Sequence, residues 1–343
     1  MARVLERVTA TARRFEMFVP GDSVIVACSG GPDSICLLHA LHRLRRLLRV
    51  RLAVFHFDHK LRKGSADDAR YVAGQAERLR IPFVLREAVD APRSGQSVEA
   101  WARLARYAAL TAAASEVEAQ RAAVGHTLDD QAETVLLGLV RGGGLEAVGG
   151  MPPVATLPPL GFPASRPLIE TSRAEVQAFC RSLRLRPRID PTNRDTRFLR
   201  NRIRHQVLPL LEKLLDRDLR GTLARTAENA RGDVDYMEGL ASEAAARLVE
   251  VRDEELRLDA PGLDALPPPI AARVVRQAIR LASAVWGEWG ADSGAAHIGA
   301  VLELAGGRPG RRVDLPGDLM AERKRGYVRL SRSSPRRRKK GER

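Results

Sequence analysis

The chain has 343 residues, 44% of them hydrophobic, with 28 glycines and 20 prolines, which suits a globular protein of two or three domains with at least one large core. Its formal net charge is +15, and only six of its 57 basic residues are lysines, so nucleic acid is the natural partner, because forked guanidinium groups match phosphate oxygens. The three cysteines, Cys28, Cys36 and Cys180, form no C-x-x-C pair; a disulfide framework, a zinc ribbon, a redox dithiol and, for want of a long apolar stretch, a membrane partner are all argued against, and a cytoplasmic protein is expected.

Val24 to Ala27 has a buried-strand pattern and Ile35 to Leu41 opens a helix. Between them, Ser29-Gly30-Gly31-Pro32-Asp33-Ser34 stands where a sheet hands over to a helix N-terminus, the place where anions bind. Gly30 and Gly31 allow positive φ and bring N–H groups close to oxygen ligands, while Pro32 presets φ for the first helical turn. The run lacks both the Gly-Lys-Ser/Thr ending of a P-loop and the spaced glycines of a dinucleotide turn. It suits a pyrophosphate, with the Ser29 and Ser34 hydroxyls completing the cradle. The Asp33 carboxylate would repel phosphate unless a magnesium ion bridges them, so the loop implies Mg2+ as well as a nucleotide. The competing reading is an ordinary surface turn.

Leu52 to Phe57 reads as a second strand, Ala66 to Leu79 as a helix, Pro82 to Glu87 as a third strand, then a long helix from Val98 and a strand at Ala122 to Gly125. Repeated βα units imply an α/β fold on a doubly wound parallel sheet. Ligands of such a sheet gather at the carboxyl ends of its strands, where the Ser29 loop, His56 to Asp58 and His126 all fall. Thr127-x-x-Asp130 is a capping box that starts the next helix. Helical spacing puts Asp130, Glu133 and Thr134 on one face, with Asp129 and Glu133 as an alternative pair; either way two carboxylates can converge on a cation such as a substrate amine, and plain helix capping is the alternative. Arg62 can pair with phosphate or with Asp67. Glu99, Arg103, Arg106 and Tyr107 share helical spacing, and either form an internal ionic face or present arginine to a reacting centre.

Residues 141–167, beginning Arg141-Gly142-Gly143-Gly144, read as a long Gly/Pro-rich loop able to close over the site. From Ser172 the pattern is helical, Asp190 to Asn201 is polar and irregular, and Arg200 to His205 is a basic helix start suited to RNA backbone. Arg202 to Val251 reads as successive helices interrupted at Asn229 and Gly232, with a domain boundary near 215–222. Residues 268–306 form two amphipathic helices, and 312–319 with 327–330 a terminal hairpin.

Taken in order, these motifs resemble the tRNA(Ile)-lysidine synthetases, a branch of the PP-loop ATP pyrophosphatase superfamily: SGGPDS at 29–34, HFDHKLR at 56–62, the Glu99/Arg103/Arg106/Tyr107 helix, GHTLDDQAETVLLGLVRGGG at 125–144, RPL at 166–168 and DPTNRDTRFLRNRIRH at 190–205. The likeness is strong over about residues 20–215 and looser beyond, where the chain reads as a short version of the family. It implies a PP-loop ATP-binding catalytic domain at 1–217, of the adenine nucleotide α-hydrolase-like kind, a mainly helical tRNA-binding domain at 218–332 and a basic disordered tail at 333–343. It also implies that ATP adenylates the C2 oxygen of the wobble cytidine of a CAU-anticodon tRNA(Ile), after which the ε-amine of L-lysine displaces AMP. By resemblance, Ser29, Gly30, Gly31, Pro32, Asp33, Ser34, His56 and His126 fall to ATP, Asp33 to Mg2+, and Asp130 and Glu133 to lysine. Arg106 and Arg202 fall near the activated base, and Arg62, Arg141, Arg200 and Arg204 to the tRNA; the reading admits a homodimer. Two alternatives stand beside it: a PP-loop tRNA thiolase, disfavoured by the cysteine spacing, and a non-catalytic RNA-binding protein, disfavoured by the intact loop and carboxylates.

Overall fold

The computed structural model describes residues 1–60, 64–92, 98–158, 161–188, 195–252, 254–286 and 294–333, with only the backbone at Glu99. Arg62, the Glu99 side chain, residues 190–194 and the basic run 336–340 lie outside the described residues. The chain divides into two compact units, Met1–Arg231 and Gly232–Arg343.

The first unit opens with α1 (Ala2–Arg14), which the sequence reading had passed over, followed by β1 (Ser23–Ala27), α2 (Pro32–Leu48), β2 (Arg51–Asp58), α3 (Ser65–Leu79), β3 (Phe83–Glu87), α4 (Val98–Glu116), β4 (Arg121–Ala123) and α5 (Leu128–Val140). β1 and β2 are apolar almost throughout because both faces of a parallel sheet are covered. Val24 and Val26 pack with α1, α2 and α7 (Arg173–Ser182), whereas Ile25, on the opposite face, packs with Tyr107 and Leu110 of α4. The described strands of this sheet run in the order β3-β2-β1-β4-β6-β5, with β5 (Val154–Leu157) and β6 (Phe162–Ser165). Strand order reverses between β1 and β4, so the loops leaving those two strands flank the crevice of a doubly wound sheet.

The segment expected to be one loop at 141–167 instead holds α6 (Leu145–Val148) and the β5–β6 hairpin, which extends the sheet because β6 pairs in parallel with β4 at Ala122 to Ala164 and Ala123 to Ser165. After α7 come α8 (Leu199–Arg202), a π-helical turn at Ile203–Val207, α9 (Leu208–Leu215) and α10 (Leu219–Leu248). α10 runs unbroken through Asn229 and Gly232, where interruptions were expected. The two units part inside this helix.

The second unit joins its helices to a second sheet. β7 (Val249–Val251), β8 (Glu255–Asp259), β9 (Arg312–Leu315), β10 (Leu319–Arg323) and β11 (Tyr327–Arg332) form an antiparallel sheet in the order β7-β8-β11-β10-β9. It shares a core with α11 (Ala260–Asp264), α12 (Pro268–Trp286) and α13 (Ala295–Ala305), built on Leu256, Leu258, Val274, Val301 and Leu330. The expected hairpin is the β9–β10–β11 part of this sheet.

Candidate active site

The Ser29 turn is bolted to the sheet at its base. The Cys28 N–H donates to the Phe55 carbonyl at 2.8 Å, and His56 Nδ1 donates to the Cys28 carbonyl at 2.8 Å. His56 is buried, so its described role is to hold the turn's backbone from beneath. Gly30 has φ +88°, a conformation side chains rarely adopt. The Ser34 hydroxyl is spent within the turn: it accepts from the Ser29 N–H at 3.2 Å and donates to the Gly31 carbonyl at 3.0 Å. Ser29 is exposed, and its hydroxyl lies 3.3 Å from the Ser34 hydroxyl at the open side of the turn. Gly125, at the end of β4, completes the crevice. A Cβ there would come within 3.1–3.2 Å of the Asp33 and Ser34 backbone, so any other residue would push the two loops apart by a few tenths of an ångström.

Asp33 stands in the first turn of α2, with Oδ1 buried and without a hydrogen-bond partner. Its carboxyl is pushed up to about 6, chiefly by burial, against the pull of Arg173, whose Nη2 lies 3.8 Å from Oδ2. An orphaned carboxylate oxygen beside a phosphate-binding turn is what a bridging cation requires. No cluster of three or more His, Cys, Asp or Glu side chains that could hold a metal occurs among the described residues. A cage made of protein ligands alone is therefore absent there, whereas Mg2+ held by one carboxylate together with phosphate oxygens and water fits the residues present.

At the start of α5 the capping box forms as its spacing foretold: Thr127 N–H donates to Asp130 Oδ2 at 2.9 Å, and Asp130 N–H donates to Thr127 Oγ1 at 3.4 Å. Capping occupies Asp130 Oδ2 and leaves Oδ1 to guanidinium groups that it shares with the buried Glu133. Of the two pairings the sequence allowed, the structure brings Asp130 and Glu133 together; Asp129 turns aside to accept the Arg173 N–H at 2.7 Å and to meet Arg220 at 3.2 Å. Three guanidinium groups close over the pair. Arg204 reaches Glu133 at 2.6 Å and Asp130 at 3.0 Å, Arg200 reaches Glu133 at 2.9 Å, and Arg173 lies 3.3 Å from Asp130 and 3.7 Å from Glu133. Burial opposes ionisation of Asp130, but the guanidinium groups of Arg173 and Arg200 outweigh it and hold the carboxyl below its ordinary range. Arg173 thus links Asp33, Asp130 and Glu133 in one network.

His126 accepts at Nδ1 from Arg166 Nε at 3.1 Å, and Arg166 is anchored on the Pro152 carbonyl at 2.6 Å. Burial, with the Arg166 charge next to it, brings His126 down to about 3. The ring is therefore neutral at physiological pH with its proton on Nε2, a hydrogen-bond donor and not an acid–base group. Nearby, the buried Tyr107 ring has Arg103 and Arg106 within 5.5 and 5.3 Å of its centroid. His59 stands edge-on to buried Phe57 at 4.6 Å and lies 6.4 Å from buried Trp101.

Other expected residues lie elsewhere. Arg202 is exposed while Arg200 and Arg204, expected on RNA, turn inward to the acidic pair. Arg141 caps the far end of α5, roughly 20 Å from its start at 1.5 Å per residue. Sequence reasoning assigned no role to Arg173 or Arg166. A signal existed for Arg173: it follows the capping Ser172 at the first position of α7, where a cation opposes the helix dipole and so calls for another partner.

A family described as the PP-loop domain matches residues 5–211, and one described as the TilS substrate binding domain matches residues 258–329. The tRNA(Ile)-lysidine synthase of Symbiobacterium thermophilum is 39% identical over 97% of this chain and 70% of its own length. The chain belongs to the tRNA(Ile)-lysidine synthase family. Other members include the enzyme of Streptomyces coelicolor, 40% identical over 89% of this chain and 84% of its own length, and that of Thermobifida fusca, 37% identical over 94% and 96%. Among solved structures, a U34-tRNA thiolase from Methanococcus maripaludis superposes with a TM-score of 0.56 at 17% identity over 66% of this chain and 78% of that one, a likeness of fold alone. The family also bears on chemistry: all three cysteines of this chain are buried and unpaired, which leaves a sulfur-transfer reading without an accessible thiol. No helix among the described residues is long and apolar enough to cross a membrane.

Proposed function

We propose that this chain joins L-lysine to C2 of the wobble cytidine of a CAU-anticodon tRNA(Ile), at the expense of ATP, in two steps. In the first, the cytidine C2 oxygen attacks the α-phosphorus and pyrophosphate leaves; in the second, the lysine ε-amine attacks C2, AMP leaves and the amine gives up a proton. The observation that carries the reading is the network in which Arg173 bridges Asp33, beside the phosphate-binding turn, to the buried Asp130–Glu133 pair.

The turn's N–H groups and the amino end of α2 would hold the leaving pyrophosphate. Mg2+ on Asp33 Oδ1 would supply positive charge where that group departs. His126 Nε2–H would donate to the nucleotide. Asp130 and Glu133 would take the lysine cation, a role now filled by the guanidinium groups of Arg200 and Arg204, which must give way or share. An anticodon loop already exposes its bases, so the cytidine reaches the crevice at small unstacking cost. Incubation with ATP, radiolabelled lysine and CAU-anticodon tRNA should place label in the tRNA with release of AMP and pyrophosphate. tRNA binding without label would reduce the chain to an adaptor.

A further inference from the structure

At the active-site edge of the sheet Arg173, Arg200 and Arg204 are matched to carboxylates. At the opposite edge a group of arginines has no ion pair among the described residues. α2 and α3 run back along the sheet, so their carboxyl ends meet the amino ends of β2 and β3. Arg45 and Arg46 stand in the last turn of α2, Arg49 caps it, Arg51 opens β2 and Arg80 caps α3. These five guanidinium groups line one shallow cleft of about 480 Å3, over a floor of Val50, Leu52 and Ile81, and no carboxylate lines it. All but Arg45 are exposed.

The helix dipole favours cations at Arg45 and Arg46, but it gives no reason for Arg51 at the start of a strand. Arg49 and Arg80 sit at φ 55° and 54°, a conformation that glycine adopts at no cost, so each holds a long side chain there against a conformational penalty. Five like charges around one cleft repel one another, and an anion relieves that repulsion.

We propose that this cleft is a second RNA contact, remote from the active site, which grips the phosphate backbone of a tRNA outside its anticodon arm. The cleft is open and shallow, as a passing chain requires, and forked donors suit phosphate oxygens. None of its lining side chains is an aromatic or a hydrogen-bond acceptor that could read a base, so the contact carries affinity and not sequence. The anticodon arm is excluded because its loop is engaged at the other edge of the sheet.

This inference rests on the proposed RNA-modifying function. The test is the triple variant R46Q/R49Q/R80Q, which alters only exposed side chains. Binding of full-length CAU-anticodon tRNA and of its isolated anticodon arm is measured by fluorescence anisotropy between about 50 and 200 mM salt. For full-length tRNA we expect roughly tenfold weaker binding at the lower salt and a log–log salt slope shallower by about 2, with turnover at saturating tRNA and binding of the isolated arm unchanged. An unchanged slope with full-length tRNA overturns the inference. So does an equal loss for the isolated arm, which would report net charge alone. Lysine transfer by the unaltered chain reports separately on the parent function.

Discussion

Glu133 and Glu322 are buried carboxylates with side chains 1% and 3% exposed, and each is ringed by three cations. Around Glu322 the cations are Arg312, Lys324 and Arg329, of which Arg312 and Arg329 stand directly opposite it on β9 and β11. Such cross-strand pairs are the ordinary currency of an antiparallel sheet, and they come from a stretch of fewer than twenty residues. The cations on Glu133 come instead from residues 173, 200 and 204, brought from distant parts of the chain onto two acids that share them, with Asp33 alongside and one of its oxygens unpaired. A buried acid with cations around it is therefore no sign of a site by itself. Long-range assembly and an unsatisfied neighbour are what set the first cluster apart.

Exchanging each glutamate for glutamine puts that contrast to its hardest test. Glu133→Gln should lower the rate of lysine transfer at least 100-fold and, by leaving guanidinium groups under-compensated, cost roughly 3 kcal/mol of stability. Glu322→Gln should cost a similar or smaller stability increment and change lysine transfer less than threefold. Parallel assays of label incorporation and urea unfolding would dissolve the distinction if the two variants lost activity alike.

Asp33 sharpens it through pH. Its folded carboxyl titrates near 6, above the ordinary range, so between about pH 4 and 6 the folded chain holds a proton that the unfolded chain has released. Stability therefore declines as pH rises through this window, and the penalty is full above it. Asp33→Asn, measured in chelator, should stabilise the protein by roughly 1–3 kcal/mol at pH 7 and by nothing at pH 3, while abolishing ATP–pyrophosphate exchange. A variant equally stable to the parent at pH 7, or one that still exchanges pyrophosphate, would contradict the assignment of Asp33 to charge on the leaving group.

The smallest effect is expected at Arg166. Replacing it with glutamine removes the charge that helps keep His126 neutral, so the imidazole should begin to titrate closer to its ordinary value. Lysine transfer should then fall a few-fold further below pH 6 than in the parent, whose own acid limb follows Asp33. Nitrogen-15 shifts of His126 would follow the added titration, and identical profiles in the two proteins would remove the role given to Arg166.

Some of this site was readable before folding because its information is local. Six consecutive residues specify a turn that exposes N–H groups at a helix start, and Thr127 with Asp130 specify a cap; neither depends on what packs nearby. The long Gly/Pro-rich stretch was misread because β6 becomes a strand by pairing with β4, about forty residues earlier, and pairing partners outweigh propensity. The expected breaks at Asn229 and Gly232 failed for a related reason: one weak helix former costs about 1 kcal/mol, which the surrounding long helix readily offsets.

The sequence by itself determined the parallel sheet, the glycine turn that opens α2 and the capping box that starts α5, since each follows from periodicity or from a few neighbouring residues. Only the tertiary structure decided that Arg200 and Arg204 face inward while Arg202 faces out, that Arg173 completes the acidic network while Arg166 meets His126, and that no carboxylate lines the arginine cleft at the other edge of the sheet among the described residues. Charge on a sequence carries a sign but no direction. Which guanidinium meets which carboxylate depends on helix phase and on packing between segments far apart in the chain.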